Sequence, residues 1–122
     1  MTSPSHASFK VLGRAATAVT VEVSGEIDIA SAPAMRSHLN DCLAEGYTEI
    51  TLDLTEMTFI DSSGLGVLVG VMNRLRREGG RLIIRDPPPV AVQVLGVSGL
   101  TPSLEIVTTN PTETRDKSAE DT

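Results

Sequence analysis

The residues best suited to chemistry form one hexapeptide, Asp61-Ser62-Ser63-Gly64-Leu65-Gly66, which stands between a strand-like segment and a helix-like one. Three kinds of chemistry fit it. The first is capping, in which Asp61, Ser62 or Ser63 accepts hydrogen bonds from the free amides of a helix start. The second is nucleotide binding. Gly64, Gly66 and Gly70 open a helix, and Asp86 lies near the end of the next strand, as in a fingerprint where glycines admit a pyrophosphate and an acid holds the ribose. The spacing G-x-G-x-x-x-G departs from that fingerprint, polar residues precede the first glycine, and too little chain follows Asp86 for a doubly wound domain. No Lys follows the glycines, which excludes a P-loop. The third is phosphorylation. A Ser on an exposed strand-to-helix turn is open to a kinase, and phosphate adds roughly −1.5 to −2 charges there. At an interface, a penalty of about 3 kcal/mol weakens binding on the order of a hundredfold.

Other reactive side chains are scattered. His6 and His38 are far apart in the sequence, and neither is expected to serve a metal or a reaction, since ligands need a clustered set. Asp53, Glu56 and Asp61 could cluster, but read as solvated surface charges. Cys42 is the single cysteine, which leaves no intramolecular disulfide or Cys-based metal site and suits a cytoplasmic protein. No cofactor, metal ligand or catalytic constellation is expected, and the chain does not read as an enzyme.

Composition narrows the classes further. The 122 residues suit one domain. With no Trp, one Tyr and two Phe, the core must be built from aliphatic residues, and there is little to stack on bases. The net charge of −6 argues against direct nucleic-acid binding. Arg74, Arg76, Arg77, Arg81 and Arg85 form a basic cluster that reads as a solvated helix end and strand. Met1 to Ser8 has no apolar core preceded by basic residues, so no signal peptide is expected. The apolar run Leu65 to Met72 is too short for membrane insertion.

These residues need elements to hold them. A strand is predicted from Ser8 to Gly13, and Val19-Thr20-Val21-Glu22-Val23 alternates as a half-buried strand. A helix follows, capped by Ser31 with Pro33 in its first turn, burying Ala32, Met35, Leu39, Cys42 and Leu43, and ended by Gly46. Thr48 to Thr55 alternates again, with Ile50, Leu52 and Leu54 on one face. Residues 56–60 read as a link. The next helix runs to about Glu78, with Leu65, Leu68, Val69, Met72 and Leu75 as its main apolar face. Val67 and Val71 lie off that face, so either both sides are buried or one side awaits a partner. Arg81 to Arg85 is a strand, Val90 to Val97 a short helix closed by Gly99, and Leu104 to Val107 a last strand. The order β-β-α-β-α-β-α-β gives an α/β fold with a mixed, mainly parallel sheet and helices chiefly on one face. Residues 1–7 read as a flexible N-terminus, 8–107 as the domain, and 108–122 as a disordered acidic tail.

From about Phe9 to Val107 the chain resembles the STAS-domain anti-sigma-factor antagonists of bacteria. The resemblance rests on Gly25-Glu26-Ile27-Asp28, on Phe59-Ile60-Asp61-Ser62-Ser63-Gly64-Leu65-Gly66, and on Val97-Ser98-Gly99-Leu100. It implies that Ser62 is phosphorylated by a partner that is both anti-sigma factor and serine kinase. It implies that the unphosphorylated form binds this partner and frees a sigma factor, and that a phosphoserine phosphatase resets the switch. By the same resemblance Asp61 places the Ser, the Glu26–Asp28 loop lies beside it, and the partner surface comprises Glu26, Asp28, Asp61, Ser62, Ser63, Gly64 and Leu65. Ser63 is expected to be a cap rather than a second target. The chain departs from the family in offering no apolar face for a further helix after residue 107, and in its three prolines at 87–89. The alternative is a STAS scaffold or transporter-associated subunit that is not phosphorylated, with Ser62 only a cap. Monomer and dimer are both open.

Overall fold

The computed structural model describes residues 7–97 and 104–108. Its elements in chain order are β1 (Ser8–Arg14), β2 (Ala18–Ile27), α1 (Ala32–Ala44), β3 (Glu49–Asp53), β4 (Met57–Ile60), α2 (Ser62–Arg77), β5 (Arg81–Arg85), α3 (Pro89–Val97) and β6 (Glu105–Val107). The sheet runs β1-β2-β3-β5-β6, with β4 paired to β2 outside that path. Only the β1–β2 pair is antiparallel. The mixed, mainly parallel sheet expected from the sequence is present. The expected flexible N-terminus, apart from Ala7, and the expected tail, apart from Thr108, lie outside the described residues, as do Gly99 and the last three residues of Val97-Ser98-Gly99-Leu100.

The fold corrects the sequence reading at residues 56–60, where Met57–Ile60 is a strand rather than a link. The cause is the length of β2. Its first half, Ala18 to Glu22, pairs in parallel with Glu49 to Asp53. Its second half still carries backbone groups that must be satisfied, and Gly25, Glu26 and Ile27 take Met57, Phe59 and Ile60 as partners. The partner changes between Glu22 and Gly25, and the new ladder then shifts register between Gly25 and Glu26. There Gly25 adopts φ +85° and donates its amide to Glu56 O at 3.0 Å. A left-handed residue inside a strand is a place for glycine, since a Cβ is strained there.

Alternation along β2 fixes which face is core. Val19, Val21, Val23, Gly25 and Ile27 are buried, while the residues between them are half-exposed. From β3 and β5, Ile50, Leu52, Leu82 and Ile84 join the same face in register. α1 buries all five residues expected of it. On α2 the buried face is rotated from the expected one: Val67 and Val71 are inside with Leu68, Met72 and Leu75, whereas Leu65 and Val69 are half-buried. Gly66 and Gly70 occupy the outer side. The sequence question about Val67 and Val71 is thus answered in favour of burial within the domain. α3 begins at Pro89, one residue earlier than expected, because a proline at the first helical position costs no amide bond.

The opposite face of the sheet carries charge. Arg81 bonds Glu105 through Nε at 2.7 Å and Glu49 at 3.3 Å, and Arg85 bonds Asp53 at 2.7 Å. With Arg74 beside Glu78 at 3.6 Å, three arginines of the basic cluster are neutralised locally rather than gathered into a patch for phosphate.

Gly25→Ala is expected to lower stability by about 1–2 kcal/mol, read as a lower urea midpoint at unchanged slope. Gly70→Ala, where an added Cβ meets nothing within 4 Å, is expected to raise stability by up to about 1 kcal/mol. Equal effects at the two positions would contradict the left-handed strain assigned to Gly25.

Candidate functional site

Ile27 and Ile60 are the last pair of the β2–β4 ladder. Beyond them the Asp61 amide donates to Ile27 O at 3.1 Å. Two chain segments therefore leave the same end of the sheet together: Asp28 to Ser31 toward α1, and Asp61 into α2. This juxtaposition brings Asp28 and the start of α2 to the same end of the sheet.

Asp61 is the N-cap of α2. Its backbone is extended, with φ −117° and ψ −169°, and Oδ1 accepts from the amides of Ser63 at 2.8 Å and Gly64 at 3.4 Å. Ser63 is thus a donor to the cap and not the cap itself, which corrects the expected role. A carboxylate also complements the positive end of the helix. Ser62, the first helical residue, is exposed, and its hydroxyl takes no part in the cap.

Gly64 is needed for space. A Cβ there would lie 2.6 Å from Ile27 Cγ2 and 2.9 Å from Ile60 Cγ1. Without it the first turn of α2 sits directly on the last pair of the ladder, so the position of Ser62 is set by the sheet. Leu65 is half-buried behind it.

The neighbouring loop is ordered by a small network. Asp28 Oδ1 accepts from the amides of Ala30 at 3.0 Å and Ser31 at 3.1 Å. The Ser31 hydroxyl donates to Glu26 O at 2.7 Å and accepts from the Asp28 amide at 3.0 Å. Ser31 stands at the N-cap position of α1 but makes no side-chain cap bond. Pro33 offers no amide at the second helical position, and the hydroxyl is committed to the loop. The Ser31 amide and the further bonds to the loop hold the Asp28 carboxyl below the ordinary aspartate range, against a smaller opposing effect of burial. Between this loop and β1 lies an open depression lined by Phe9, Glu26, Asp28, Ser31 and Ala34.

Three further placements bear on the sequence candidates. Asp86 has φ +52° and gives its amide to Val107 O at 2.9 Å, so it is the turn residue between β5 and the prolines. His38 packs its ring against Phe9 with centroids 5.8 Å apart. Cys42 is a buried core residue, and that burial, aided by Glu45, pushes its thiol up. A residue the sequence did not single out also belongs to this surface. Ile29, at the tip of the Asp28–Ser31 loop, is 78% exposed.

A family model described as STAS domain matches residues 9–115. The anti-sigma-B factor antagonist of Bacillus subtilis (strain 168) is 32% identical over 88 residues, which is 72% of this chain and 80% of that protein. The solved structure of the anti-sigma factor antagonist SpoIIAA in its unphosphorylated form is similar at a TM-score of 0.74 and 26% identity, covering 93% of this chain and 97% of that one. The Bacillus cell fate determinant SpoIIAA in its phosphorylated form gives 0.69 and 27%, covering 90% and 98%.

Two predictions follow from the caps. Asp61→Ala is expected to cost about 0.5–2 kcal/mol, and Ser62→Ala less than about 0.5 kcal/mol, by urea denaturation. A larger cost at Ser62 would make it the cap. The second concerns acid. Because the folded Asp28 carboxyl is held low, its contribution to stability is complete above the ordinary aspartate value, about 4, and is lost as pH falls through the lower folded value. Asp53 behaves the same way: its burial raises the carboxyl, but bonds from Thr55 and Arg85 outweigh that. Asp28→Asn keeps an acceptor but cannot titrate, so its stability should fall less steeply below pH about 4 than that of the parent chain.

Proposed function

The chain belongs to the STAS domain family, among its anti-sigma factor antagonists, and on that premise we propose that it is a partner switch thrown at Ser62. With a free hydroxyl it binds an anti-sigma factor that is also a serine kinase, and a sigma factor is released. Phosphorylated by that partner, it lets go. A phosphoserine phosphatase restores the hydroxyl. The partner surface is formed by Glu26, Asp28, Asp61, Ser62, Ser63, Gly64 and Leu65.

One observation carries this reading: Asp61 supplies the cap of α2, so the exposed Ser62 hydroxyl has no structural duty. A hydroxyl held at a fixed place, with its fold role taken by a neighbour, can gain and lose a phosphoryl group while the helix stays formed. The charge arithmetic supports release. Phosphate at Ser62 stands next in the chain to the carboxylate of Asp61. Two unit charges 4 Å apart cost about 1 kcal/mol in water but about 4 kcal/mol at the effective dielectric of a partly desolvated protein surface. The same phosphate is therefore cheap on the free chain and costly in a complex.

The family's role is binding, and the switch requires of this chain only a substrate hydroxyl for another protein's kinase. The test is a pull-down from host lysate with Ser62→Ala and Ser62→Asp baits, followed by titration of the recovered anti-sigma factor. The Ala bait is expected to retain it, and the Asp bait to bind on the order of a hundredfold more weakly with its melting temperature unchanged. Equal retention by both baits would defeat the switch and favour a scaffold whose partner does not depend on Ser62.

A further inference from the structure

We propose that Ile29 is the apolar anchor of the interface with the anti-sigma factor, seated in an apolar pocket of that partner with basic residues at its edge. The inference rests on the functional reading above for the identity of the partner. It adds a residue and a chemistry that the Ser62 surface does not itself contain.

Position is the first argument. Ile27 and Ile60 are register partners at the end of the β2–β4 ladder, and Asp61 N bonds Ile27 O. Ile29 stands two residues beyond Ile27, and Ser62 two residues beyond Ile60. Parallel neighbours run about 4.8 Å apart, so the two residues leave adjacent strands at the same end of the sheet. A partner covering Ser62 meets the Ile29 loop as well.

The second argument is that Ile29 does nothing for the fold. It is the most exposed of the large apolar residues among those described, at 78%. Every bond that orders its loop runs through Asp28, Ala30 and Ser31. A polar side chain at 29 would leave those bonds intact and remove an exposed aliphatic group. The loop is nonetheless fixed on both sides of it, so the side chain is presented without the ordering cost that a mobile loop would incur on binding.

The surroundings say what kind of partner fits. Glu26 and Asp28 flank Ile29 on its own segment, and Asp61 follows Ile60, the register partner of Ile27, so acidic residues border the exposed aliphatic side chain in the chain. An apolar anchor with a charged rim is the pattern of an interface hot spot, where the centre loses water and the rim sets register. The complementary surface is an apolar socket edged by Arg or Lys. It also places the phosphorylation site next to the part of the interface that must be dry, where added charge is least tolerated.

The experiment titrates the full chain, Ile29→Ala and Ile29→Leu into purified anti-sigma factors of the host by calorimetry, with Ser62→Asp alongside. Ile29→Ala is expected to bind about tenfold or more weakly, with a less negative heat-capacity change and an unchanged melting temperature. Ile29→Leu should recover most of the affinity. Parent-like binding by Ile29→Ala while Ser62→Asp is released would overturn the anchor and leave the switch standing. Loss of self-association in Ile29→Ala, with anti-sigma affinity unchanged, would overturn it in favour of a contact between two copies of this chain. Failure of the parent chain to bind any of the host's anti-sigma factors would overturn the functional reading and the anchor with it.

Discussion

The structure depends on the obligation of one long strand to pair along its whole length. β2 has ten residues, whereas β3 supplies partners for only half of them. An unpaired buried amide or carbonyl costs about 1–3 kcal/mol, so the second half of β2 must find another strand. It finds β4, after a break at residues 54–56 where Leu54 N bonds Arg85 O and Asp53 Oδ1 holds Thr55 through its amide and hydroxyl. The partly buried Asp53–Arg85 pair sits at that break. Its value is geometric, since a buried ion pair is weak ground for net stability. After the register shift in the β2–β4 ladder, Ile60 arrives beside Ile27, and the segments that follow the two strands leave from the same end of the sheet.

From that delivery the site needs only three local devices. Gly64 lets the helix start rest on Ile27 and Ile60. Asp61 answers two of the free amides of the helix. Asp28 and Ser31 tie the adjoining loop. Each uses backbone hydrogen bonding or close approach, and none uses the Ser62 hydroxyl. The separation of duties matters physically. If Ser62 were the cap, phosphorylation would exchange a cap oxygen for a bulkier one, and the signal would be mixed with a change in helix stability. With a carboxylate cap the two are uncoupled, and a phosphate at Ser62, as proposed, would act as charge alone.

Much of this was legible in the sequence, for reasons that differ from element to element. Strict alternation marked β2 and β3, and helical spacing marked all five buried residues of α1, because a half-buried element writes its period into the chain. β4 was missed because four residues with buried ends and an exposed middle have no period. The rotation of α2 was missed for the opposite reason. Its first two turns are apolar nearly all round, so the choice of face falls to Gly64, Gly66 and Gly70, where absence of a side chain decides the matter. The motif around Ser62 was legible as a motif, but capping by Asp61, Ser62 and Ser63 was not separable without the backbone angles. Ile29 carried no signal at all, since a lone isoleucine in a short loop looks like noise until its loop is seen to be ordered without it.

The apolar faces of a chain this small are consumed by its own core. Both questionable valines of α2 turned out to be inside, and the open face of the sheet is laced with ion pairs. No helix among the described residues is long and apolar enough to cross a membrane. The surface proposed for a partner lies at the ends of elements: the last pair of two strands, the first turn of one helix, and the loop before another. Ends are held by hydrogen bonds and caps rather than by packing, so their surface can change by one phosphoryl group without disturbing the core. A face could not be switched this way, because a charge placed on a packed face would have to be desolvated in the folded chain itself. The placement of Ser62 at an end is therefore the condition under which a single modification can govern binding and spare the fold.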